Sequence, residues 1–218
     1  RTAGVSADAP IGITGYSGGA IASGWAAQLA PEYAPELNIA GVAFGGPPTD
    51  YKILQTSLNG QIGSGLFTAA TIGLSREYPE MRQLANDNGK RLALAQKDQC
   101  VDVLSYSGLL LLDQRNLSNV PDVFAHPITT AVVEENRMGQ TKPDAPVYIY
   151  QGLQDFLIPK EGAEAVQDQW CAAGASVHLE EVPGDHSLAQ TNGRPGAYDW
   201  LAQRLAGVPT SGCERAIR

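Results

Sequence analysis

Gly15-Tyr16-Ser17-Gly18-Gly19 is the segment that leaves this chain the least conformational choice. The short apolar run Pro10-Ile11-Gly12-Ile13-Thr14-Gly15-Tyr16 precedes Ser17 and reads as a buried strand. The small, apolar residues from Gly18 to Leu29 follow it at helical spacing. A strand that turns into a helix within one residue holds that residue in a strained conformation. Its neighbours must then be small, and a Cβ at Gly15 or Gly19 is expected to collide with the adjoining strand or helix. The bland reading is a glycine-rich turn with an idle serine; the flanking strand and helix are the context that a G-x-S-x-G nucleophile turn requires.

The rest of the chain extends this unit. Pro31 and Pro35 break the first helix, and Ile39-Ala40-Gly41-Val42-Ala43-Phe44 reads as a second buried strand ending in Gly45-Gly46-Pro47-Pro48. Two such strands joined by a helix make a parallel β-α-β unit. From residue 49 to residue 143 apolar residues recur at helical intervals, and this stretch reads as an inserted helical cap. Helices are predicted over Tyr51–Asn59, Ser64–Leu74, Glu80–Asn86, Gly89–Leu112 in one or two pieces, and Pro127–Asn136. The strand pattern returns at residues 145–152, followed by a helix from Lys160 to Ala173, a strand from Ser176 to Val182, a loop and a last helix from Pro195 to Leu205. The order describes an α/β core, residues 1–48 and 144–218, with a mostly parallel sheet and flanking helices around the insertion.

A serine hydroxyl is a weak nucleophile until a base accepts its proton and a third group orients that base. There are three histidines. His126 lies in the insertion before Pro127, where it reads as a surface or cap residue, and His178 is flanked by Val177 and Leu179 within a strand. His186 follows the last predicted strand, on a loop at the carboxyl edge of the sheet where such folds gather their chemistry. It is the expected base. Asp155, just past a strand end and before a helix near Pro159, is the expected acid. Asp185 is the rival, but sequence neighbours on a loop point apart, and it reads as a loop-ordering residue. The order Ser17, Asp155, His186 is that of α/β-hydrolases. Gly18, opening the helix after the serine, is the expected first oxyanion donor. Tyr106-Ser107-Gly108 echoes the motif but lacks its outer glycines, and Asp50 and Asp113 receive no role.

Composition narrows the partners. With 23 acidic against 15 basic residues, and the basic ones scattered, a nucleic-acid partner is not expected. No apolar run approaches the ~20 residues of a transmembrane helix. Arg1–Pro10 is small and polar, so any export signal lies outside this chain. No cofactor is expected, and the three cysteines, Cys100, Cys171 and Cys213, lack zinc-site spacing.

Only about ten residues precede the strand that delivers Ser17. The remaining strands of the sheet, and the second oxyanion donor, are expected from another segment of the same protein or from a separate chain. An isolated chain would expose a sheet edge and is expected to be inactive.

Gly15-Tyr16-Ser17-Gly18-Gly19-Ala20, Gly45-Gly46-Pro47-Pro48-Thr49-Asp50, Tyr150-Gln151-Gly152 with Asp155 and Pro159, Trp170-Cys171 with Gly174-Ala175, and Gly184-Asp185-His186 together resemble the secretory lipase family. The resemblance spans nearly the whole chain but only the C-terminal portion of family members. It implies a secreted lipase or carboxylesterase acting on acyl esters or lipids, with a helical cap over an acyl-binding pocket and no cofactor. Secretion implies disulfides; Cys100 with Cys171 is the favoured pair, leaving Cys213 for the absent segment.

Two other readings compete. A serine peptidase or acyltransferase would use the same triad, and Leu66, Phe67, Ile72, Leu74 and Leu109–Leu112 would serve equally as an acyl pocket or as cap core. An inactive binding relative is the non-enzyme alternative, which an intact Ser17, Asp155 and His186 argue against.

Overall fold

The computed structural model of the chain describes residues 4, 6 and 8–218. Arg1–Pro10 therefore falls partly outside the described residues. The chain divides into two compact units. One holds the described residues up to Thr49 together with Met138–Arg218, and the other is Asp50–Arg137.

The first unit is built on five strands, β1 Ile11–Tyr16, β2 Ile39–Gly45, β3 Val147–Gly152, β4 Val177–Val182 and β5 Cys213–Ile217, paired in that order and all parallel. Helices α1 Gly18–Tyr33, α7 Glu161–Ala172 and α8 His186–Leu205 belong to the same unit. Side chains alternate across a strand, and the alternation sorts them into two layers. Val42, Phe44, Val147, Ile149, Val177 and Leu179 pack in one buried cluster with Ala20 and Ala27 of α1 and Ala163, Val166 and Trp170 of α7. Ala43, Tyr148 and Tyr150 face the other way, onto Ala197 and Leu201 of α8. Phe44 meets the Trp170 ring edge-on at 6.4 Å, and the indole N–H donates to the Thr141 carbonyl at 2.9 Å. Met138 is buried in this core, and its N–H donates to Thr49 at 2.9 Å, so the chain re-enters the sheet unit at residue 138.

The second unit is helical: α2 Tyr51–Leu58, α3 Ser64–Glu77, α4 Asp87–Gln96, α5 Val101–Tyr106 and α6 Pro127–Glu135, with 3₁₀ turns at Pro79–Leu84, Ser107–Leu110 and Gln114–Leu117. The Tyr106-Ser107-Gly108 echo falls where α5 passes into a 3₁₀ turn, not between a strand and a helix.

Three expectations about elements give way. α1 runs through Pro31 to Tyr33, because a proline in a last turn removes only one helical hydrogen bond; the helix ends at Ala34, which precedes Pro35 and leaves helical geometry. The last helix begins at His186, nine residues before Pro195. Asp185 caps it, its carboxylate accepting from the N–H groups of Ser187 and Leu188 at 2.9 and 3.0 Å. Packing outweighs the proline: Ala189, Gly193, Ala197 and Leu201 recur every four residues as a buried stripe, and Gly193 lies so close to Tyr150 that a Cβ there would stand 2.2 Å from its ring. Finally, β5 forms from a largely exposed, charged segment that carries no strand signature. It is held at the edge by the Arg215–Asp168 ion pair at 2.8 Å and by Gln167, which donates to the Glu214 carbonyl at 2.6 Å.

That fifth strand also corrects the cysteine pairing. Cys171 and Cys213 form the disulfide, with Cα atoms 6.1 Å apart, while Cys100 is free and exposed in the helical unit. β5 pairs with β4, the strand that follows α7, and so carries Cys213 to the end of the helix holding Cys171.

Candidate active site

Parallel strands all end at one edge of the sheet, and the segments that follow β1, β3 and β4 meet there. Ser17 sits between β1 and α1 with φ 53° and ψ −115°, left-handed backbone that a β-carbon makes costly. Its N–H donates to the Gly45 carbonyl at the end of β2 at 2.9 Å, pinning the turn to the neighbouring strand. A Cβ on Gly15 would stand 2.2 Å from the Gly19 carbonyl oxygen, so residue 15 admits only glycine. Gly19 itself faces open space, contrary to the collision expected there. What the turn brings against residue 15 is the backbone of residue 19, not its side-chain position.

His186 Nε2 lies 2.9 Å from Ser17 Oγ, and His186 Nδ1 lies 2.7 Å from Asp155 Oδ2. A carboxylate can only accept, so Nδ1 carries the imidazole proton and Nε2 is left free to accept from the serine hydroxyl. The structure thus brings together all three side chains singled out in the sequence. The imidazole is on the first residue of a helix instead of a loop, which fixes its backbone more firmly.

The Asp155 side chain is fully buried. Its Oδ1 accepts from the N–H groups of Leu157 and Ile158 at 3.1 and 2.8 Å, and Oδ2 accepts from Gln151 Nε2 at 3.1 Å as well as from His186. Such donors fix the orientation of a buried carboxyl group. Gln151 escaped the sequence reading; the only signal was a long polar side chain ending the apolar run of β3, and it is 1 % exposed. The loops bearing Asp155 and His186 are tied to each other: Leu153 and Gln154 donate to the carbonyls of Val182 and Gly184 at 2.8 and 3.1 Å, and Gly184 donates back to the Gln154 side chain at 2.7 Å.

The other candidates stand apart. His178 stacks on Tyr148 at 4.9 Å and lies 3.2 Å from Glu214 of β5. His126 caps α6, its Nδ1 accepting from the Ile128 N–H at 3.3 Å. Gly18 is the first residue of α1, where N–H groups have no intrahelical acceptor. Among the described residues no cluster of three or more histidine, cysteine or acidic side chains is placed to hold a metal ion. No described helix is long and apolar enough to cross a membrane.

Within the helical unit lies an apolar cavity of about 560 Å³, lined among others by Phe67, Ile72, Leu74, Leu84, Phe124 and Val133. Phe67, Ile72 and Leu74 line it, in keeping with a pocket or core role, whereas Leu109, Leu110 and Leu111 are exposed.

A parallel sheet between helices, with a serine on a strained strand-to-helix turn backed by a histidine and a buried aspartate from later strand ends, defines an α/β-hydrolase. The family model described as Secretory lipase matches residues 1–213. The chain belongs to the secretory lipase family. Lipase 4 of Candida albicans is 35% identical over 225 residues, covering 97% of this chain and 49% of that protein. A Mycobacterium tuberculosis relative bearing the name of a probable inactive lipase is 31% identical over 216 residues, 94% of this chain and 48% of its own. The crystal structure of Candida antarctica lipase A in its closed state superposes with a TM-score of 0.86 at 26% identity, covering 96% of this chain and 52% of that one. The chain therefore spans about half the length of the relatives it matches.

Proposed function

We propose that this chain carries the serine machinery of a secreted lipase or carboxylesterase that cleaves acyl esters through an acyl-enzyme on Ser17. The observation that carries this reading is the 2.9 Å approach of His186 Nε2 to Ser17 Oγ, with Asp155 2.7 Å behind the same imidazole. His186 takes the hydroxyl proton as Ser17 Oγ bonds to the ester carbonyl carbon. The carbonyl electron pair moves to oxygen, where the Gly18 N–H donates to it. As the tetrahedral species collapses, the imidazolium gives its proton to the departing alkoxide, leaving the acyl group on Ser17. Water then attacks with His186 again as base and releases the acid. Asp155 orients the imidazole and holds the imidazolium once it forms.

Three further features support the wider reading. The helical unit, read as the cap, contains an apolar cavity whose volume lies in the range of ligand pockets. The Cys171–Cys213 disulfide suits an oxidising, extracellular compartment, as does the family's secretory description. β1 is an end strand of the described sheet; further strands beside it, and a second oxyanion donor, are assigned to the half of the relatives' length that this chain does not match.

The competing reading is an inactive binding protein, favoured by the relative named as inactive. A fluorophosphonate probe separates the two in the complete protein. Label on Ser17, abolished by Ser17→Ala, supports a serine hydrolase; absence of label overturns it. Rates on p-nitrophenyl esters of rising acyl length then distinguish the kinds of esterase: a peak at short acyl groups marks a carboxylesterase, and a rise toward long chains marks a lipase.

A further inference from the structure

Tyr16, the variable residue of the serine motif, makes two contacts with the proposed base. Its hydroxyl donates to the backbone carbonyl of His186, and its ring lies 5.1 Å from the imidazole, tilted by 40°. The ring is fixed on its own account. It stacks on Tyr150 at 5.6 Å, and it stands directly over Gly46, where a Cβ would lie 3.0 Å from the Tyr16 hydroxyl and 2.9 Å from His186 Cε1. Gly46 has φ +55°, so both its backbone and its surroundings favour glycine. Tyr150 in turn is held close to Gly45 and Gly193, each of which would bring a Cβ within 2.2 Å of its ring.

Asp155 and Ser17 fix the imidazole along the line of its two nitrogens, but neither bond holds the backbone that carries it. The Asp185 cap holds that backbone within α8, and the Tyr16 hydroxyl ties it to the serine turn. We propose that Tyr16 is the residue that positions His186, clamping the first turn of α8 by its hydroxyl and facing the imidazole with its ring. The proposal rests on the reading of Ser17 and His186 as nucleophile and base. The ring adds an electrostatic effect: an aromatic face within about 6 Å attracts a cation, and the imidazole becomes one only after it has taken the serine proton. Tyr16 therefore favours the transition state over the resting enzyme, which raises turnover without tightening substrate binding. Burial, with Asp155 and Asp185 nearby, raises the Tyr16 phenol well above its ordinary range, so its hydroxyl stays a donor near neutral pH.

The test measures the rate of fluorophosphonate labelling at Ser17 in the complete protein, with end-point labelling used to count competent sites so that each rate refers to folded enzyme. Tyr16→Phe keeps the aromatic face and loses the anchor; it is expected to label roughly tenfold more slowly, and Tyr16→Ala, losing both, roughly 100-fold more slowly. On a p-nitrophenyl ester kcat falls by similar factors while KM stays within about twofold. A Tyr16→Phe protein that labels within about twofold of wild type, or one that loses through KM alone, overturns the positioning role. Failure of the wild-type protein to label at all overturns the serine hydrolase reading instead.

Discussion

The α-carbon of Gly15 lies against the carbonyl of Gly19, so close that a Cβ on residue 15 would stand 2.2 Å from the oxygen and 2.6 Å from Ser23 Oγ. Two glycines of one motif consequently do different work. Gly15→Ala forces the strand and the helix apart and is expected to cost about 3 kcal/mol or more. Gly19→Ala meets open space and, in a helix, is expected to be neutral or to stabilise by up to about 1 kcal/mol. Paired thermal melts of the two variants check this; equal destabilisation would refute it.

On the proposed mechanism, Asp155→Asn keeps the shape of the acid but swaps a carboxylate for an amide that no longer imposes the reactive tautomer on His186. Turnover is expected to fall about 10⁴-fold with KM little changed. In the proposed triad the three residues act as a unit, so the double variant of Ser17→Ala with His186→Gln should be no worse than either alone. Steady-state kinetics on a soluble ester measure both effects.

The Cys171–Cys213 bridge closes a sequence separation of 42 residues and fastens an otherwise exposed edge strand. Chain-entropy reasoning puts its contribution at about 4 kcal/mol. Cys213→Ser is expected to lower stability by roughly that amount and to loosen β5 first. Denaturant titration and hydrogen exchange over residues 213–217 report the two effects.

Asp113 gives the helical unit an acid-sensitive joint. Arg115, and then Asn59, hold its carboxyl well below the ordinary range, and it accepts from Asn59 Nδ2 at 2.9 Å and from the Arg115 N–H at 2.9 Å. A depressed folded-state value means stability that is fully present above the unfolded value of about 3.9 and is lost as pH falls below it. Asp113→Asn should therefore melt lower than wild type at pH 7, with the gap closing progressively below about pH 4. Melting curves over that range check the sign; a gap that widens on acidification contradicts it.

What could be read from the sequence was local. The turn at Ser17 is specified by neighbouring glycines between an apolar strand and a small-residue helix, and the positions of Asp155 and His186 follow from lying just past strand ends. What escaped depends on tertiary contact. Pro195 signals a helix start until the buried stripe of Ala189, Gly193 and Ala197 carries the helix through it. Cys213-Glu214-Arg215-Ala216-Ile217 looks like a polar tail, since its partners Asp168, Gln167 and His178 are distant in sequence. With that strand unseen, the disulfide it makes possible could not be assigned. Gln151 was hidden because its importance lies in reaching Asp155, four residues on, around the end of β3.

Ser17, Asp155 and His186 hang from the ends of β1, β3 and β4, with β2 interposed between the first two. Sliding any one of these strands by a single residue would carry its side chain about 3.3 Å along the sheet, farther than a hydrogen bond can stretch. On the proposed mechanism, turnover would be a vernier on strand alignment: a sheet that has slipped one notch could keep nearly all of its secondary structure and yet be chemically silent.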